Sequence, residues 1–241
     1  MTALLEAKHL VKRFGDKAVV NDLSFHVLPG EVVGLLGPNG AGKTTAFYMT
    51  MGLIAPDAGD VCFRGVSITR KPIHERAKMG LGYLAQEPSI FRSLSVEDNI
   101  LCILETLPLS SKARVSRLNA LLDELRIGHL RKKKAAGLSG GERRRLEITR
   151  ALVTEPALLL LDEPFANIDP IAVQDVQDLI RMLKARGISV LITDHNAREI
   201  FAIVDRSYLV QEGRVLLAGT VDELLANAEA RRSYFGNEFR L

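Results

Sequence analysis

The run Gly37-Pro38-Asn39-Gly40-Ala41-Gly42-Lys43-Thr44-Thr45 satisfies the Gly-x-x-x-x-Gly-Lys-Ser/Thr pattern at every fixed position. Residues of these types at this spacing hold a phosphate chain. The glycines let the backbone curl with its N–H groups pointing inward, and the helix start beyond them adds partial positive charge. Lys43 would then reach the β- and γ-phosphates and the Thr44 hydroxyl would hold Mg2+. Polar chemistry also stands at the ends of three apolar runs: Gln86 after residues 79–84, Asp162 and Glu163 after residues 157–161, and Asp194 and His195 after residues 188–193. Two adjacent carboxylates at the carboxyl end of a central strand occupy the edge where open α/β sheets bind ligands. His195 taken alone reads as a capping or core histidine. Ser139, Gly140 and Gly141 open another helix with a hydroxyl and unpaired N–H groups, which attract phosphate but also make an ordinary cap.

These side chains need elements to position them. Residues 31–36 form the strand before the loop, and the helix after it meets no breaker until Gly52. Residues 4–10 and 18–27 read as antiparallel strands about a Gly15-Asp16 turn, and residues 60–64 as a short strand returning to them. Phe14 stands just before that turn, an exposed ring of the kind on which an adenine stacks. From Ser95 to Glu155 the pattern is helical, with Ser95 and Asp98 at one helix start and further helices over 111–125 and 140–153. The run 157–161 has the continuous apolar character of a strand buried on both faces. Residues 205–219 predict a hairpin turning at Glu212-Gly213, and Thr220 with Glu223 caps a last helix. The expected fold class is α/β: a P-loop NTPase core with a mostly parallel sheet, an N-terminal antiparallel β subdomain and an inserted α-helical subdomain. One domain over 1–241 is expected, with the insertion at about 88–155 and a short tail at about 229–241. Three aromatics in the last eight residues predict that this tail docks on something.

With 241 residues, 47% of them hydrophobic, the chain can build a large core. Its net charge of +3 includes dense basic runs at 131–134 and 143–145, read as solvated helix faces because no aromatics interleave with them as in nucleic-acid binders. The apolar runs fall short of the ~20 residues of a membrane-spanning helix, and no signal-peptide core is seen, so a cytosolic chain is expected. Cys62 and Cys102 lie far apart without partners at metal-ligand spacing, and read as neutral thiols.

The ordered set of Phe14, residues 37–45, Gln86, residues 138–142, residues 157–163, Asp169 and His195 resembles the nucleotide-binding domain of ATP-binding cassette (ABC) transporters, over nearly the whole chain. The resemblance implies an ATPase. It implies that Phe14 stacks the adenine, that Gly37 to Thr45, Gln86, Ser139, Gly140 and Gly141 bind nucleotide, and that Glu163 and His195 are catalytic. Mg2+ would be held by Thr44 and Gln86 directly and by Asp162 through water. It further implies a head-to-tail homodimer bound to integral membrane permease subunits at the cytoplasmic face of the inner membrane, with no nucleic acid partner. Glu142, where many relatives have Gln, reads as a variation without consequence for hydrolysis, and Asn167 stands where many have a small residue. The segments 83–92, 140–145, 193–196 and 239–241 are similar to the ATPase subunit of lipopolysaccharide export systems of Gram-negative bacteria. ATPases of branched-chain amino-acid importers, and more distantly non-transport cytosolic ABC ATPases, are the alternatives. In related cassettes a groove beside the loop after Gln86 receives the permease, which makes Phe91 an apolar anchor and Arg92 a charged rim contact.

Overall fold

The computed structural model describes residues 2–87, 89–166 and 170–236, apart from the side chains of residues 170 and 171. Pro88, the stretch Asn167-Ile168-Asp169 and the end of the tail from Asn237 lie outside that description. The chain opens with a hairpin of β1 (Leu5–Phe14) and β2 (Lys17–Val27). Next, β3 (Val32–Leu36) leads through the glycine-rich loop into α1 (Lys43–Met51). Then come β4 (Ala58–Phe63), β5 (Val66–Ser67), α2 (Ile73–Lys78) and β6 (Leu81–Leu84). The helices α3 (Val96–Leu104), α4 (Ser111–Glu124) and α5 (Gly140–Leu152) precede β7 (Leu158–Asp162). After these follow α6 (Pro170–Ala185), β8 (Ser189–Thr193), α7 (Ala197–Phe201), the hairpin β9 (Arg206–Gln211) and β10 (Arg214–Gly219), α8 (Val221–Ala226) and a π turn over Arg231–Phe235.

The expected α/β class is found. A four-stranded antiparallel sheet has the order β2-β1-β4-β5, and a six-stranded sheet the order β10-β9-β3-β8-β7-β6, parallel except at β10. Strands β3, β7 and β8 are buried at every position. Because successive side chains of a strand point to opposite faces, each strand feeds two cores. Leu158 and Leu160 join Val33, Leu35, Phe25 and Phe47 toward the antiparallel sheet and α1, whereas Leu159 and Leu161 join Val32, Ile100, Leu146 and Ile180 toward the helices. Parallel pairing then sets the exits of β3, β6, β7 and β8 along one edge, with Asp162 beside Thr193 and Thr193 beside Leu35.

Four local expectations change. Strand β1 does not end at Leu10 but runs to Phe14, because register shifts at the bulge near His9 (φ 50°) let the polar residues Lys12 and Arg13 stay paired with β2. Strand β6 starts at Leu81, since Met79 closes α2 and Gly80 has φ 104°. Helix α2 itself was not expected. Nor are the basic runs solvated helix faces throughout: residues 131–134 precede α5, Arg144 is buried, and five side chains are paired, Arg131 and Lys132 with Glu97, Lys133 with Glu142, Arg144 with Glu147, and Arg145 with Asp175. Both cysteines are half-buried, and burial pushes both thiols up, so they stay neutral. Among the described residues no helix is long and apolar enough to cross a membrane.

The reason for α2 lies in its one buried side chain. Arg76 donates from Nη1 to the carbonyls of Met49 (2.9 Å) and Thr50 (2.6 Å), from Nη2 to Thr69 (2.9 Å) and from Nε to Lys71 (2.8 Å). A cation thus closes the carboxyl end of α1, where the helix dipole is negative, even though burial lowers its pKa to about 10. Gly52 ends α1 at φ 78°, and a Cβ there would stand 2.6 Å from Arg76 Nε. Gly52→Ala is therefore expected to lower stability by about 2 to 4 kcal/mol, through backbone strain and displacement of the guanidinium together. Urea unfolding checks this, and a loss below about 0.5 kcal/mol would show that the latch yields freely.

Candidate active site

The glycine-rich loop is shaped by its neighbours as well as by its own freedom. Gly42 caps α1 at φ 99°, and a Cβ there would lie 2.5 Å from the carbonyl oxygen of Val19, so β2 packs where a side chain would be. Pro38, Asn39, Gly40 and Ala41 line a cavity of about 370 Å³ with Lys17, Ala18, Val19, Gln211 and Glu212. Thr44 is exposed and Thr45 half-buried on the first turn of α1, which has no acidic residue to neutralise its positive end. Lys43 is buried and donates from Nζ to the carbonyls of Gly37 (2.7 Å) and Pro38 (3.0 Å). Burial pushes its pKa down, opposed by the carboxylates of Glu163, Asp194 and Asp162. Phe14 is 52% exposed at the end of β1, with the Lys12 ammonium 5.8 Å from its ring centre.

The two carboxylates diverge. Asp162 is buried; its Oδ1 accepts from the Thr193 hydroxyl at 2.6 Å, while its buried Oδ2 has no hydrogen-bond partner. Burial pushes its pKa up. Glu163 follows with φ 43°, a left-handed conformation that a residue with a Cβ adopts at a cost of about 1 to 3 kcal/mol. That turn, held by the Glu163 N–H donating to Thr193 O at 2.8 Å, swings the second carboxylate outward. There it accepts from Gln86 Nε2 at 2.9 Å, and His195 Nδ1 lies 3.6 Å away. Asp194, fully buried, accepts from the N–H groups of Phe165 (3.3 Å) and Asn196 (2.9 Å), tying the exits of β7 and β8 together. The structure thus joins Gln86, Glu163 and His195, shows Asp194 acting as a support, and adds Thr193, which the sequence alone did not single out.

The donor set fits Mg2+. An unpaired carboxylate oxygen in a buried setting is unfavourable until a cation or proton satisfies it, and a hard divalent ion suits oxygen ligands. Among the described residues no group of three or more His, Cys, Asp or Glu could hold a metal by itself. Such an ion would depend on one carboxylate, a hydroxyl and substrate oxygens, as Mg2+ sites at phosphates do.

Ser139 caps α5. Its hydroxyl accepts from Glu142 N at 3.2 Å, and Glu142 in return accepts from Ser139 N at 2.8 Å and from Lys133 at 3.1 Å. The bond from the Ser139 N–H and the pair with Lys133 hold the Glu142 carboxyl below its usual range. Glu142 is therefore half of a capping box, a role that the Ser-x-x-Glu spacing could have revealed. Gly141 faces α6, where a Cβ would meet Ala172 Cβ at 3.2 Å. Ser139 and Gly141 line a cavity of about 360 Å³ with Arg126, His129, Arg145 and Asp175, and neither Lys43 nor Asp162, Glu163 or His195 lines it.

The loop after Gln86 is gripped by α5 and α3. Arg144 donates to Ala85 O (3.1 Å), Glu147 accepts from Ser89 N (3.2 Å), and Arg150 donates to Ser89 O (2.5 Å). Asn99, fully buried, brackets the Phe91 main chain, accepting from its N–H at 2.9 Å and donating to its carbonyl at 3.0 Å. Ile90 consequently turns into the core, while the Phe91 ring is 49% exposed beneath the Arg150 guanidinium at 4.8 Å. Arg92 is exposed beside it.

Comparison with known proteins sharpens this geometry. Residues 20–166 match the family profile described as ABC transporter. The chain is 54% identical over 241 residues, the full length of both chains, to the lipopolysaccharide export system ATP-binding protein LptB of Acidithiobacillus ferridurans. It is 49% identical to the LptB of Escherichia coli (strain K12) over 240 residues, 99% of this chain and 100% of that one. Among solved structures, the ADP conformation of an ATP-binding cassette of an ABC transporter superposes with a TM-score of 0.87 at 29% identity, covering 98% of this chain and 100% of the other.

Proposed function

The chain belongs to the ABC transporter family as an ATP-hydrolysing subunit, and from that premise we propose that it powers extraction of lipopolysaccharide from the inner membrane toward the outer membrane. The observation that carries this reading is 54% identity, aligned end to end over all 241 residues, with a protein of lipopolysaccharide export. On this reading residues 1–241 act as one cassette, in which the segment at about 88–155 is an inserted helical subdomain. It works on the cytoplasmic face, where integral permease subunits dock beside Phe91 and Arg92.

The chemistry follows from the site. ATP lies along residues 37–45 with its adenine against Phe14, and Lys43 exchanges the carbonyls of Gly37 and Pro38 for phosphate oxygens. Thr44, Gln86 and Asp162 would hold Mg2+, which when bound neutralises charge on the β- and γ-phosphates. Glu163 takes a proton from the attacking water, and Gln86 fixes where its carboxylate stands. His195, 56% exposed at its side chain, is free to reach the γ-phosphate. The separation of the Ser139 cavity from Lys43 and Glu163 supports a homodimer in which each phosphate chain is met by the Ser139-Gly140-Gly141 end of the opposite subunit.

The test is purification from mild detergent with the integral proteins that accompany the chain, followed by reconstitution. ATP-dependent movement of lipopolysaccharide out of the vesicle membrane is expected, and movement of an amino acid instead would sink the proposal. Phe91→Ala should weaken docking by about 2 kcal/mol or more while the isolated subunit stays folded and binds ATP. A sharp fall in melting temperature with assembly intact would make Phe91 a core residue.

A further inference from the structure

The C-terminal turn reaches back to the active site. Asn227 starts it, accepting from the N–H groups of Glu229 (2.8 Å) and Ala230 (3.1 Å), and Gly236 N closes it on Arg231 O at 2.8 Å. Phe235 lies 5.4 Å from Phe201 of α7, ring centre to ring centre, and Tyr234 packs edge-on against Phe235 at 5.0 Å. The described part of the aromatic tail therefore docks within its own chain. So seated, the Tyr234 hydroxyl donates to the carbonyl of His195 at 3.2 Å. Burial pushes this phenol above its ordinary range. Asp194 accepts from the N–H groups of Phe165 and Asn196 on either side of the strand exit, and Tyr234 holds the His195 carbonyl itself.

We propose that Tyr234 is a positioning residue that holds the main chain of His195 in place at the edge of the active site, so that the C-terminal turn governs the rate of hydrolysis without touching nucleotide. The inference rests on the reading of His195 as the group that meets the γ-phosphate. A histidine whose side chain is half in solvent has little packing to orient it, so its backbone must be fixed instead.

The experiment is steady-state ATPase measurement on the full chain, with Mg2+ and ATP, for wild type, Tyr234→Phe, His195→Ala, the double variant and Ser233→Ala. Tyr234→Phe keeps the ring and deletes the bond. It should lower kcat about three- to tenfold with the KM for ATP within about twofold, the range expected for one lost positioning hydrogen bond. In the His195→Ala background the same change should have no further effect. Ser233→Ala removes another bond of the turn, from its hydroxyl to Glu229 O at 2.7 Å, and should leave kcat unchanged. The inference is overturned if Tyr234→Phe hydrolyses at the wild-type rate, if its defect persists undiminished without His195, or if Ser233→Ala matches it. A His195→Ala chain of normal kcat would overturn the site reading itself, and Tyr234's role with it.

Discussion

Glu163→Gln should bind ATP as the wild type does and yet turn it over on the order of 10²- to 10⁴-fold more slowly, the range lost when a positioned base is removed. The amide is nearly isosteric, and its carbonyl oxygen can still accept from Gln86 Nε2, so the left-handed turn at residue 163 and the contact across the site both survive. What the amide cannot do is take a proton from water. The Asp162 carboxylate cannot replace it, because one of its oxygens is committed to Thr193 and the residue is buried. Rapid-quench phosphate release, read beside equilibrium nucleotide binding, separates the two properties, and the dimer formed in ATP should persist on size exclusion. Turnover near the wild-type rate would remove Glu163 from the role of base.

Lys43→Ala should fail one step earlier, at binding. Its ammonium feels the carboxylates of Glu163, Asp194 and Asp162, and removing it leaves their negative charge unopposed by a cation at the loop. It also leaves the carbonyls of Gly37 and Pro38 without their donor. A charge-assisted contact of this kind is worth about 3 kcal/mol, on the order of a hundredfold in Kd. Calorimetric titration with ATP measures it, and unchanged affinity would dismiss Lys43 as a phosphate ligand. Pairing Lys43→Ala in one subunit with Gly141→Asp in the other extends the test to the dimer. Both lesions should fall on one shared site and spare the second, whereas equal damage to both sites would contradict head-to-tail sharing.

Much of this protein is written in local residue patterns. The phosphate loop is legible because its chemistry needs glycine, lysine and a hydroxyl within a few consecutive residues, and spacing along the chain is then spacing in space. The runs at 157–161 and 188–193 are legible as strands because burial on both faces leaves no room for polar residues, so Asp162 and His195 could be assigned to strand exits. Capping at Ser95, Ser139 and Thr220 is likewise a matter of neighbours three residues apart.

Only the tertiary structure decided what depends on residues far apart in the chain. The order β3-β8-β7-β6 brings Gln86 to Glu163 across 77 positions, and no periodicity encodes which strands become adjacent. The outward turn at Glu163 is a strained conformation that the pairing of β7 with β8 enforces on a residue whose own preference lies elsewhere. Arg76 acquires its role only when the carboxyl end of α1, more than twenty residues away in the chain, places two carbonyls against it. Tyr234 belongs with them, since a tail residue acquires meaning from the site only once the π turn folds it beside His195. For Arg76 the partners are buried carbonyls that must be satisfied, and which group satisfies them is fixed by packing.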